Sequence, residues 1–141
     1  ILDPAKRLSF TDVEDPRIKE GMRIIERALS EIAAYCAQEG IALHVAIMPV
    51  REQVFYNIGP KGLKENADLQ RLNENLNTLQ AQLEQALTNA SIAYTNLLPV
   101  METALSTYNI YPPTDGHPNA AGYKVVAAYL APIVLPLFAA N

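Results

Sequence analysis

Apolar residues recur every third or fourth position from Ile18 through Met22, Ile25, Leu29, Ile32 and Cys36, the period at which side chains share one face of an α-helix. Asp15 and Pro16 precede that run and Gly40 follows it. An Asp side chain caps the free amides of a first turn, proline fits the first helical position, and glycine suits a helix end. The pattern predicts a long amphipathic helix. Ile41 to Pro49 is instead an apolar, β-branched run without glycine, which predicts a strand covered on both faces. Gly59, Pro60 and Gly62 then mark a loop from Tyr56 to Leu63, since glycine and proline interrupt regular structure.

From Glu65 to Thr88 the alternation of three and four returns at Leu69, Leu72, Leu76, Leu79 and Leu83. The repeat is short for a coiled coil, so a helix packed on a sheet is expected. Ile92 to Leu97 predicts a second strand, Leu98 to Tyr108 a short helix, and Asn119 to Leu130 a final one that the Asn119 side chain would cap. Strand, helix and strand in this order predict a right-handed parallel crossover. The fold class expected is α/β: a short parallel sheet flanked by helices. Parallel pairs normally belong to larger sheets with both faces covered, so an exposed strand edge is expected here. It would pair with another copy of the chain or be covered by the hydrophobic tail.

Composition narrows this picture. The chain has 141 residues, half of them hydrophobic, so one domain spanning 1–141 with a sizeable core is expected. The formal charge of −4 comes from acidic and basic residues mixed along the chain; without a basic stripe, nucleic acid is excluded as a partner. Cys36 is the only cysteine, which rules out an intrachain disulfide and suits a small apolar packing role. The apolar run from Val125 to Ala140 contains Pro132 and Pro136 and is shorter than the ~20 residues of a membrane span. It predicts a core helix followed by a hydrophobic tail.

Candidate chemistry gathers in two places. Arg51-Glu52-Gln53 follows the first predicted strand, and open α/β sheets bind ligands at the carboxyl ends of their strands. Arg51 and Glu52 are therefore candidate substrate-binding residues, although the same residues suit a solvated loop with a local ion pair. Asp115 precedes His117 by two residues at the mouth of the last predicted helix. A carboxylate beside an imidazole fixes its tautomer and stabilises the imidazolium formed when it takes a proton. Asp115 and His117 are the candidate catalytic pair, and a turn followed by a helix cap is the competing reading of the same residues. His44, inside the apolar run, reads as a packed residue without ligands at metal-site spacing.

The stretch Asp115-Gly116-His117-Pro118-Asn119-Ala120-Ala121-Gly122-Tyr123 resembles the last block of the SGNH (GDSL-like) hydrolases, and Val45-Ala46-Ile47-Met48-Pro49-Val50-Arg51-Glu52-Gln53-Val54-Phe55 resembles a segment of the branch related to alginate-type O-acetyltransferases. The resemblance implies a flavodoxin-like three-layer fold, here partial. It also implies a Ser-His-Asp triad to which Asp115 and His117 contribute. No Gly-Asp-Ser block and no Gly-x-Asn-Asp block occur, and Ser9, Ser30, Ser91 and Ser106 have neighbours unlike either.

The expectation is therefore the C-terminal part of an SGNH-like domain whose serine lies outside this chain; a relative that has lost catalysis is the other reading of the missing block. The implied reaction is ester hydrolysis or acyl transfer on an acylated carbohydrate or another ester, without metal or organic cofactor. The cell envelope or periplasm is the implied location. A non-catalytic binding or scaffold module for a membrane-embedded acyltransferase is the alternative.

Overall fold

A computed structural model describes residues 4–113 and 115–139. Among these the order of elements is α1 (Pro4–Leu8), α2 (Pro16–Gln38), β1 (His44–Ile47), α3 (Arg51–Ile58), α4 (Ala67–Asn89), β2 (Ala93–Asn96), α5 (Leu98–Thr107) and α6 (Ala120–Ala139). The architecture is mixed α/β and mostly helical, with both strands in one parallel sheet. His44 Nε2 lies 2.8 Å from Thr95 Oγ1, and Leu97 N donates to Ile47 O at 3.0 Å. These partners advance in the same direction along both strands, as parallel pairing requires. The predicted packed role of His44 agrees with this contact.

The described residues fall into two compact units, one drawn from residues 46–66 and 96–139, the other from residues 4–45 and 67–95. In the second of these, α4 packs against both α1 and α2. Asp15 caps α2 as predicted, its Oδ1 accepting from Arg17 N at 2.8 Å. The Arg17 guanidinium, followed by that same backbone amide, holds the Asp15 carboxyl down to about 2. Of the predicted leucine stripe of α4, Leu69 and Leu72 are buried and Leu76, Leu79 and Leu83 half-buried, while Ala86 and Leu87 near the end of the helix are buried too.

The apolar face of α2 is less covered than its pattern implies. No residue of α2 is fully buried, and Ile25 and Ile32 stay 41% and 47% exposed. An apolar face roughly 100° wide exceeds what one neighbouring helix can cover. The first strand departs from expectation for a related reason. It is four residues long instead of the predicted nine-residue run, and Ile41 and Met48 at its flanks are exposed. A sheet of two strands has too little area to be enclosed on both faces.

The other unit has its own core of Val54, Leu97, Met101, Ala104, Ile110, Tyr111 and Val126, with α3 and α6 each packed on α5. The Phe55 and Tyr111 rings lie 5.9 Å apart in a tilted arrangement, and Asn57 Nδ2 donates to Glu102 Oε1 at 2.5 Å. Arg51-Glu52-Gln53, adjacent to the strand, is the first turn of a helix that reaches Ile58. The expected loop begins only at Gly59, which Phe55 O approaches too closely for any side chain there.

The last helix is the largest departure. It was expected to end near Leu130 and instead continues through Pro132 and Pro136 to Ala139. Each proline removes one amide donor, freeing the carbonyls of Ala128 and Pro132. Both residues are exposed, so water can satisfy the freed groups. The stretch Ala120–Phe138 is consequently long and apolar enough to cross a membrane by length and composition.

Candidate functional site

The candidate site is a loop between α5 and α6, closed at its base by backbone chemistry. Asn119 N donates to Ile110 O at 2.8 Å, and Asn119 Nδ2 donates to Asn109 O at 2.8 Å. The side-chain oxygen of Asn119 caps α6, accepting from Ala121 N at 2.9 Å and Gly122 N at 3.1 Å. One asparagine thus closes the loop and starts the helix, which agrees with the predicted capping role. Gly122 is needed for the close approach: a Cβ there would lie 2.7 Å from Pro118 Cβ and 2.8 Å from Ile110 O. Asn119→Ala is expected to lower unfolding free energy by about 1–2 kcal/mol, the range for a lost N-cap together with one further, exposed hydrogen bond; urea unfolding measures this.

Within the loop, His117 Nδ1 and Asp115 Oδ1 are 2.7 Å apart, and His117 N donates to the same oxygen at 3.1 Å. An ionised carboxylate only accepts, so in the neutral ring Nδ1 carries the proton and Nε2 the lone pair. The His117 side chain is 80% exposed and that of Asp115 57%, so Nε2 is open to an incoming hydroxyl. The ring N–H of His117, and then its backbone N–H, hold the Asp115 carboxyl below the usual carboxylate range. This interaction is complete above the unfolded-state value of about 4 and is lost as pH falls through the lower folded-state value.

Arg51 reaches the loop from α3. It is 7% exposed, and its Nη1 donates to Asp115 O at 2.6 Å and to Pro112 O at 3.2 Å. Glu52 and Gln53, in the same turn, are each 3% exposed. The structure therefore brings Asp115, His117 and Arg51 together, with Glu52 buried in the turn that carries Arg51. Tyr111, at the start of the loop, is 3% exposed, and burial pushes its phenol up to about 12; it stays a neutral hydroxyl and cannot serve as the base.

The serine side chains that form hydrogen bonds do so locally. Ser9 donates to Lys6 O, Ser30 to Glu26 O and Ser106 to Thr103 O, while Ser91 takes a positive φ of 56° next to β2. The Asp115/His117 pair is legible in the sequence, whereas the Arg51 contacts to loop carbonyls, which span 61 and 64 positions, are not, because a backbone acceptor has no side-chain identity to betray it. Compared with protein families, characterised proteins and solved structures, the chain has no match.

Proposed function

We propose that this chain is the C-terminal part of an SGNH-type serine esterase or O-acyltransferase, supplying the Asp-His part of its triad while the serine lies outside the chain. The observation that carries this reading is the 2.7 Å contact between Asp115 and an imidazole whose side chain is 80% exposed. His117 Nε2 takes the proton of the serine hydroxyl as its oxygen attacks the ester carbonyl, then returns it to the departing alkoxide. Water or an acceptor hydroxyl, deprotonated by the same nitrogen, then releases the acyl group from the serine. Asp115 holds the ring in the required tautomer and stabilises its charged form. Acylated envelope carbohydrate suits this chemistry, at the cell envelope or periplasm, and no metal or organic cofactor enters the steps.

On this reading the α/β framework is a partial flavodoxin-like three-layer fold, and the open edge of its two-stranded sheet is a place for self-association. A second reading, a binding or scaffold module for a membrane-embedded acyltransferase, draws on α6, where Leu135 and Phe138 are 64% and 74% exposed. Asp115→Asn separates the two. In the protein that includes the serine, it is expected to lower kcat for a chromogenic acetyl ester by about 10⁴-fold, because the amide permits the wrong tautomer. Unchanged turnover would remove the catalytic reading and leave the scaffold.

A further inference from the structure

Unlike the exposed Asp115 and His117 side chains, Arg51 is buried and aimed at backbone. Its guanidinium is planar and permanently charged, with donors in a rigid fork. Taking such a cation out of water is costly unless several hydrogen bonds replace its hydration. Here one nitrogen meets two loop carbonyls, Asp115 O at 2.6 Å and Pro112 O at 3.2 Å. The arm that carries it is equally constrained. Arg51 is the first residue of α3, Val54 one turn on is fully buried in the core, and the neighbouring Phe55 ring packs against Tyr111.

The Asp115 carbonyl that Arg51 grips belongs to the same residue whose carboxylate takes the His117 ring. Fixing that peptide group limits where the Asp115 side chain can point. The His117 amide, bonded to the same carboxylate at 3.1 Å, is constrained with it. A loop tied near its ends, at Ile110 and Asn119, thus also has a support close to its middle.

We propose that Arg51 is a positioning residue. From the buried side of the loop it sets the orientation of Asp115, and through Asp115 the direction of His117 Nε2, without touching substrate. This inference rests on the triad reading for its catalytic consequence, while the clamp itself is a property of the chain alone. It assigns Arg51 a different role from the substrate contact expected from its place after the first strand.

The test uses nuclear magnetic resonance on the 141-residue chain, with turnover measured separately in the protein that includes the serine. In the unsubstituted chain, Arg51 is expected to show slow guanidinium rotation, with separate Nη proton signals, and His117 a single ring tautomer. Arg51→Met is expected to raise amide hydrogen exchange at His117 at least tenfold and to mix the two ring tautomers, while Val54 and Met101 amides exchange as before. Arg51→Lys keeps the charge but lacks the fork, and a rise of about threefold is expected; it decides the question on its own if the methionine variant does not fold.

A freely rotating guanidinium in the unsubstituted chain would overturn the proposal, whatever the variants do. So would a folded variant that leaves both His117 readouts unchanged. In turnover, Arg51→Lys is expected to lower kcat about tenfold at constant KM; a rise in KM alone would make Arg51 a substrate contact and overturn positioning. If Asp115→Asn leaves turnover unchanged while the resonance effects of Arg51→Met appear, the triad reading fails and the clamp stands.

Discussion

Replacing His117 by alanine, in the protein that includes the nucleophilic serine, is expected to lower kcat/KM for a chromogenic acetyl ester by roughly 10⁴–10⁶-fold, the range seen when a triad base is removed. The expectation follows from what the ring does. It is the proton acceptor for the hydroxyl and the proton donor to the leaving group, and no other described group of the loop can take both parts. Asp115 has its carboxyl held below the usual range by His117 itself, and Tyr111 has its phenol pushed up to about 12. The first is too weak a base and the second too weak an acid near neutral pH.

Because the His117 side chain is 80% exposed, its removal leaves no cavity, and the circular dichroism and unfolding midpoint are expected to stay within experimental error. Activity lost together with fold would mean that the ring is structural. Activity kept would sink the triad reading.

Ile110→Ala is expected to lower unfolding free energy by about 2–5 kcal/mol, the range for truncating a fully buried aliphatic side chain. Ile110 is 0% exposed and sits in the core with Val54, Met101 and Val126. Its surroundings have little freedom to collapse into the space, since its carbonyl holds Asn119 N at 2.8 Å and its Cβ lies 3.3 Å from where a Gly122 Cβ would be. A domain of ordinary stability has about 5–15 kcal/mol in total, so this single change removes a large share.

Denaturant unfolding of the purified chain measures the loss from the shift in midpoint at constant slope. The same substitution is expected to loosen the loop base and broaden the His117 resonances. A loss under about 1 kcal/mol would show that the site relaxes around the smaller side chain, and that this core does not hold the loop.

Local periodicity carried most of the framework. The Asp15 cap, the leucine stripe from Leu69, the short helix after Leu97 and the capping role of Asn119 were all legible, because each is set by neighbours within one or two turns. The Asp115/His117 contact was legible for the same reason, the two residues being two positions apart. Proline as a helix terminator failed at Pro132 and Pro136, where the freed carbonyls sit on exposed residues and cost less than the rule assumes. The coverage of α2 and the first strand also went unread, since periodicity shows which face is apolar but not how much neighbouring surface exists to bury it.

By itself the sequence determined where α2, α5 and α6 begin, which faces are apolar, and that a carboxylate and an imidazole stand close enough to pair. Only tertiary structure decided that Arg51 is buried against the carbonyls of Pro112 and Asp115, across 61 and 64 positions of chain. The physical reason is range: caps and i, i+2 contacts are fixed by local backbone geometry, whereas a side chain meeting a distant carbonyl depends on how α3, α5 and α6 pack around one core.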